Sequence, residues 1–192
     1  MENYKLEQSK ESLPTSEELM DDFYKKFSES GEKDVKIISL EQLKELKEKN
    51  ITTEGFLNYI CEKKRMLLHG SINEITNGTL KSNEGKIFAT DKSAVAIMKS
   101  LYSNIGVNLE YPYHFNENNP LVLKIHTPPD GKFISKDKGF VYVVSEEDFE
   151  NKPEGSWQFV KEVDETDFDL SIETEKNDFK YPVEFYDDLN KR

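Results

Sequence analysis

The sequence predicts an α+β fold, with a helical N-terminal portion followed by a series of short strands. Two capping-box patterns occur early in the chain, at Thr15 with Glu18 and at Ser39 with Gln42, and such boxes open helices. After Arg65 the chain changes to short apolar runs bounded by turn residues, which are typical of strands. Several short strands with few helices indicate an α+β architecture rather than regular βαβ alternation.

The N-terminal portion, residues 1–64, is predicted to contain three helices. In the first, Leu19, Phe23 and Phe27 recur at helical spacing, which gives the helix one apolar face. The third begins at Thr52 or Thr53, since either side chain can cap a helix. The first two predicted helices span about 15–29 and 39–49, with a brief strand at 35–38 between them, and the third continues from its cap to about residue 64.

Residues 65–192 are predicted to form the α+β domain proper, in one compact unit with the N-terminal portion. Its one strong helix, about 91–104, carries Ala94, Ile97 and Leu101 on one face. The run Tyr111-Pro112-Tyr113-His114 predicts a loop, either a surface connection or a binding loop. The predicted strands of this part are 65–69, 86–90, 120–126, 139–145, 157–163, 167–173 and 181–186.

The composition restricts the classes of function. The net charge is −12 over 192 residues, with only two arginines, which argues against direct nucleic-acid binding because that needs a basic surface. Cys61 is the only cysteine, so neither an intrachain disulfide nor a multi-cysteine zinc site is possible. The three histidines are too dispersed to predict a metal site. No apolar signal-peptide core or membrane span is recognisable, so we expect a cytoplasmic protein without membrane contact.

One stretch of the predicted domain carries most of the functional signal. A short apolar strand ends in His69-Gly70-Ser71, and turn residues then lead to a second strand, Ile87-Phe88-Ala89. A histidine and a hydroxyl beside a glycine offer hydrogen-bonding groups next to a backbone that a ligand can approach closely. The stretch therefore predicts a nucleotide-binding cleft.

The order of these motifs resembles the NAD-binding core of ADP-ribosyltransferases, in the branch that includes the poly(ADP-ribose) polymerases. The shared pattern is Leu68-His69-Gly70-Ser71, then Asn77-Gly78-x-Leu80, then Gly85-Lys86-Ile87-Phe88-Ala89 before a helix, all within about residues 68–104. The resemblance implies N-terminal helices packed on a split, mainly antiparallel β-sheet. It also implies NAD as substrate, with ADP-ribose transferred to a protein or other acceptor.

Cofactor-binding roles follow from the resemblance for five residues. His69 is expected to hydrogen-bond the adenosine ribose, and Gly70 and Ser71 to contact the nicotinamide amide. The alternative for His69 is that it ends a buried strand and bonds a neighbouring carbonyl group. Ile87, followed by Phe88, stands where the family has a tyrosine that stacks on nicotinamide; isoleucine can pack there without π-stacking.

The resemblance also implies a catalytic glutamate on a late strand. Our best placement of this position is Gln158, in Ser156-Trp157-Gln158-Phe159-Val160, with Glu154 and Glu162 as the alternatives. Glutamine can hydrogen-bond a ribose but supplies no charge to favour a cationic transition state. The sequence is therefore also consistent with a transferase-like fold that has kept the pocket but lost or altered the chemistry.

A non-enzymatic acidic protein is the competing interpretation. Its surface would recognise a basic partner, as an inhibitor or nucleic-acid mimic does. A cavity that joins His69, Ile87 and the 157–160 strand would favour NAD binding. A single continuous acidic patch would favour the interaction protein, whereas dispersed acids would favour solubility alone.

Overall fold

Three helices make up most of the N-terminal portion, and each begins at a side-chain cap. In the computed structural model, which describes residues 13–29, 36–103, 108–112, 114–116, 118–127 and 134–187, both predicted capping boxes are present and Thr52 caps the third helix. The three helical predictions are thus confirmed. Among the described residues, no helix is long and apolar enough to cross a membrane. These elements are α1 (Ser16–Ser28), β1 (Ile37–Ile38), α2 (Leu40–Lys47) and α3 (Thr53–Lys64).

Short strands make up most of the remaining chain, as predicted after Arg65. One further α-helix and a 3₁₀ turn at Lys176–Asp178 interrupt them. In chain order the elements are β2 (Met66–Ser71), β3 (Thr79–Lys81), β4 (Ile87–Thr90), α4 (Ser93–Leu101), β5 (Tyr102–Ser103), β6 (Asn108–Glu110), β7 (Leu123–Thr127), β8 (Ile134–Ser135), β9 (Lys138–Ser145), β10 (Glu150–Asn151), β11 (Gln158–Lys161), β12 (Glu165–Asp167), β13 (Leu170–Glu175) and β14 (Val183–Asp187).

The main sheet has seven strands in the order β1-β13-β9-β2-β4-β11-β10. Its pairings are antiparallel except for the short parallel contact of β1 with β13. A second sheet joins β14, β7 and β6, and two ribbons pair β12 with β3 and β5 with β8. The fold is therefore α+β with a mainly antiparallel sheet, as the sequence predicts.

Both faces of the main sheet are buried. On one face Leu68, Val141 and Val143 pack with α3 and α4 in the larger apolar core. On the other face Leu67 and Tyr142 belong to a smaller core that also includes Leu80 of β3. Because strand side chains alternate between faces, residues of β2 and β4 are divided between these two environments.

A buried carboxylate ties the N-terminal helices to the end of β13. The Asp178 side chain is only 5% exposed and lies 3.0 Å from Lys47 Nζ. It also accepts hydrogen bonds from the Thr53 hydroxyl at 2.8 Å and from the Glu175 backbone N–H at 2.9 Å. These contacts connect α2 and α3 to the chain that follows the main sheet.

Replacing Asp178 with alanine is expected to lower the free energy of unfolding by about 2–3 kcal/mol, because a buried hydroxyl loses its partner and a half-buried ammonium loses one of its two carboxylate partners. Urea denaturation would measure the loss. The matched control is Asp137→Ala, since Asp137 is 91% exposed in its ion pair with Lys176 and an exposed pair contributes at most about 1 kcal/mol. Equal effects of the two substitutions would contradict this role for Asp178.

Candidate functional site

A cleft opens where β2 and β4 part within the main sheet. β2 pairs along its whole length with β9, and β4 pairs along its whole length with β11. Between β2 and β4 themselves only Leu68 and Thr90 are in register. Beyond this pair the two strands diverge, so the sheet is split at the point where the His69-Gly70-Ser71 motif stands.

A cavity of about 380 Å³ occupies this split. Most of its lining comes from β2, β4, α4 and the start of β11 with the residue before it, and one residue each comes from the turn between β3 and β4 and from the segment after β6. His69, Gly70, Phe88 and Gln158, four of the residues that the sequence singles out, lie on this cavity. The remaining described lining residues are Leu68, Asn83, Ala89, Thr90, Val95, Ala96, Lys99, Tyr111 and Trp157.

His69 bridges the split. Its Nδ1 lies 2.7 Å from the backbone carbonyl oxygen of Phe88, the kind of contact expected if the histidine served packing alone. Burial lowers the pKa of the His69 imidazole, and nearby Lys99 lowers it further, although the hydrogen bond to Phe88 opposes the shift. A neutral ring that faces a carbonyl through Nδ1 must donate from that nitrogen, which leaves Nε2 as a hydrogen-bond acceptor.

Lys99 is the one lysine or arginine in the described lining of the cavity. It stands on α4, and its Nζ lies 4.8 Å from the centre of the Tyr111 ring, a cation–π contact. Burial lowers the pKa of the Lys99 ammonium to about 8. Lys99 follows a run of apolar residues in the helix and belongs to no motif, so no sequence pattern points to it.

Trp157 holds the segment after β6 over the cavity. Its indole N–H donates a 3.0 Å hydrogen bond to the Pro112 carbonyl, and its ring lies 5.4 Å from that of Tyr111. Trp157 is 7% exposed and also belongs to the larger core. It therefore packs in the core and lines the cleft at the same time. Tyr113 of the predicted loop lies outside the described residues.

Ile87 does not reach the cavity. Its side chain is 2% exposed and packs in the smaller core with Leu67 and Tyr142. The next residue, Phe88, faces the opposite side of β4 and is 42% exposed at the cavity. The alternation along β4 thus puts an aromatic ring in the cleft, one position after the residue that the motif comparison aligned with the family tyrosine.

Ser71 and the two alternative glutamates also lie apart from the described lining of the cavity. The Ser71 hydroxyl accepts the Asn73 backbone N–H at 3.2 Å, in the turn after β2. Glu162 is 65% exposed and lies 3.8 Å from Lys152 Nζ, and Glu154 is exposed in the turn before β11.

Gln158 opens β11 beside Thr90 of β4. Its side-chain amide donates a 2.8 Å hydrogen bond to the Lys152 carbonyl. Its backbone N–H donates to the Ser156 hydroxyl at 3.1 Å. These contacts fix the amide at the cavity edge with its nitrogen engaged.

Gly70 has a packing role. A Cβ atom built on Gly70 would lie far inside contact distance of the Ala96 carbonyl oxygen and 2.8 Å from Lys99 Cβ. Only glycine allows α4 to approach β2 this closely. The same approach places Lys99 beside the motif.

A different cavity, of about 440 Å³, lies where the start of α3 meets the segment after β13. Several of its polar side chains already bond to one another, since Lys47 forms ion pairs with Asp178 and Glu175. The Thr53 hydroxyl donates a hydrogen bond to Asp178. Cys61 also offers little reactivity, because burial raises the pKa of its thiol to about 12. The cleft at β2 and β4 is therefore the stronger candidate site.

The described residues contain no group of three or more His, Cys, Asp or Glu side chains placed to hold a metal ion. In comparisons with known proteins, no family model, curated protein or solved structure matches the chain. The residues of the cleft are therefore the basis for a proposed function.

Proposed function

We propose that the protein binds NAD in the cleft between β2 and β4, as an ADP-ribosyltransferase-like protein. One observation carries the proposal: His69, Phe88 and Gln158, which come from separate strands, line a single cavity. These strands carry the motifs whose order resembles the transferase core. A sheet that splits beside the His-Gly-Ser motif is also the arrangement that the resemblance implies.

The polar groups of the cavity suit a ribose. Neutral His69 offers Nε2 as an acceptor, and Gln158 offers an amide oxygen. Ribose hydroxyls can donate to both atoms. An imidazole that stays neutral at pH 7 avoids placing a second positive charge beside Lys99.

The apolar groups suit a planar base. Phe88 presents an exposed ring at the cavity, and Trp157 and Tyr111 form an aromatic wall from another direction. Stacking of a nucleobase or nicotinamide on such a ring contributes about 1–3 kcal/mol per base in other nucleotide-binding proteins. Phe88 can supply the stacking that Ile87 cannot.

Transfer of ADP-ribose would follow from the same placement. The bond between ribose C1′ and the nicotinamide nitrogen breaks, and its electron pair leaves with nicotinamide. The acceptor then bonds to C1′ and gives up a proton. Positive charge develops on the ribose during this step, and Gln158 can orient the ribose without offsetting that charge. We therefore propose tight positioning with slow turnover.

The first test is a calorimetric titration with NAD. Saturable binding is expected for the unmodified protein, and His69→Ala is expected to weaken it at least about 10-fold, because the ribose loses a hydrogen-bond partner in a partly buried site. His126→Ala is the matched control, since His126 lies on β7 against Glu110 and Tyr186, away from the cleft. Thermal denaturation of both variants would establish that each is folded.

Two results would count against the proposal. The absence of binding at millimolar NAD would overturn it and direct the search to a basic protein partner. Equal loss of affinity in His69→Ala and His126→Ala would show that binding does not use the cleft.

The described carboxylates give less support to the acidic interaction protein. Ion pairs with lysine place acidic side chains on well-separated elements, including α1, β6 and β12. Dispersed and paired acids of this kind contribute to solubility rather than to one recognition patch.

A further inference from the structure

Lys99 is a cation of the cleft without a described anionic partner. The described residues include no carboxylate within 4.0 Å of its ammonium, whereas lysines on α1, α3 and β7 make such ion pairs. Its described contact is the face of the Tyr111 ring. Buried lysines are rarely left unpaired, because removal of the ammonium from water costs free energy.

The described lining of the cavity offers Lys99 no carboxylate, although the chain is rich in them. The chain carries 38 acidic residues against 26 basic ones, so carboxylates are abundant on its surface. The polar side chains that share the cavity lining with Lys99 are His69, Asn83, Thr90, Tyr111 and Gln158. None of these side chains is a carboxylate. The cavity thus holds a positive charge that an anionic ligand would neutralise.

We propose that Lys99 forms an anion subsite for the pyrophosphate of a dinucleotide or of ADP-ribose. This inference rests on the proposed function, and it identifies the part of the ligand that the cleft holds by charge. A lysine ammonium binds phosphate as a point charge, and in a partly buried site the attraction is stronger than in bulk water. The Tyr111 ring keeps the ammonium in the cleft while leaving its N–H groups able to donate to phosphate oxygens.

The position of Lys99 agrees with this role. Lys99 lies on α4 beside Gly70. His69 is the residue before Gly70 on β2, the strand that α4 covers. A ribose that is hydrogen-bonded to His69 would place its attached phosphate in the same cavity as Lys99. Ligands that contain ribose and nicotinamide but no phosphate would leave Lys99 unused.

The test compares ligands with and without phosphate on two variants. We expect Lys99→Met to weaken binding of NAD and ADP-ribose at least about 10-fold. Binding of nicotinamide riboside, a cation without phosphate, is expected not to weaken. Lys99→Gln provides a second neutral variant if the first fails to fold. Lys44→Met is the control, because Lys44 is an exposed lysine of α2 paired with Glu41.

The pH dependence gives an independent measurement. The Lys99 pKa of about 8 means that the free site loses its charge just above neutral pH. Affinity for ADP-ribose is therefore expected to fall between about pH 7 and pH 9 in the unmodified protein and to stay level in Lys99→Met. His69, already neutral over this range, does not contribute to the change.

The outcomes separate this inference from the proposed function. If NAD binds Lys99→Met as tightly as the unmodified protein, the anion subsite is overturned and NAD binding stands. If inorganic pyrophosphate binds in a Lys99-dependent way while NAD does not bind, the subsite stands and the NAD proposal fails. If none of these ligands binds, both are overturned.

Discussion

Replacing Gly70 with alanine is expected to lower the free energy of unfolding by at least about 3 kcal/mol, because an added methyl group must displace backbone rather than a flexible side chain. The Cβ atom would overlap the Ala96 carbonyl oxygen and press on Lys99 Cβ and the Ser100 backbone nitrogen. Neither β2 nor α4 can yield readily. β2 is paired along its length with β9, and α4 is buried along most of its surface.

Urea denaturation monitored by circular dichroism would measure the change, and Gly55→Ala is the matched control. Gly55 lies in α3, where an added Cβ would meet only the Thr52 hydroxyl at 3.2 Å. A shift of less than about 1 kcal/mol is expected there, since the higher helix propensity of alanine opposes the crowding. A stable Gly70→Ala protein with unchanged unfolding free energy would show that α4 can move away from β2.

The elements that the sequence predicts well are those with a local signal. Thr15 and Ser39 each start a helix with a capping box that the structure reproduces, because the cap needs only residues within one turn. The strand 139–145 is equally clear, since its uninterrupted apolar run reflects burial on both faces of the sheet.

Other elements depend on distant partners and carry little signal of their own. β3 and β12 are three-residue strands that pair with each other across more than eighty positions of sequence. β10 is a two-residue strand at the sheet edge, with an exposed glutamate. Strands this short are defined by their hydrogen-bonded neighbour rather than by periodicity, so no local pattern predicts them.

The candidate site shows the same division. The motif at His69 and the placement of Gln158 identify residues that the structure brings to one cavity. The motif does not predict which side chains of β4 face the cleft. Successive residues of a strand point to opposite faces, so a shift of one position decides whether Ile87 or Phe88 faces it. Lys99 reaches the cavity only through the packing of α4, which no local pattern encodes, whereas Tyr111 belongs to the run that the sequence offers as a binding loop.

Gln158→Glu is expected to increase nicotinamide release from NAD at least about 10-fold, since a carboxylate beside the ribose offsets the positive charge that develops as the glycosidic bond breaks. A full contribution of about 2–4 kcal/mol would correspond to roughly 30-fold to 900-fold. The expected gain is smaller because the Gln158 amide now donates to the Lys152 carbonyl. A glutamate would lose this bond and must turn from that oxygen toward the cavity.

The measurement is single-turnover release of nicotinamide, with the NAD affinity of each variant determined in parallel. Glu154→Gln and Glu162→Gln are the matched controls, because both glutamates lie apart from the described cavity lining and their neutralisation is expected to change nothing. Loss of basal release in either control would move the catalytic position to that glutamate. If Gln158→Glu binds NAD like the unmodified protein and releases nicotinamide no faster, the cleft holds NAD for recognition rather than for transfer, because the charge would then stand beside a ribose that is not positioned to react.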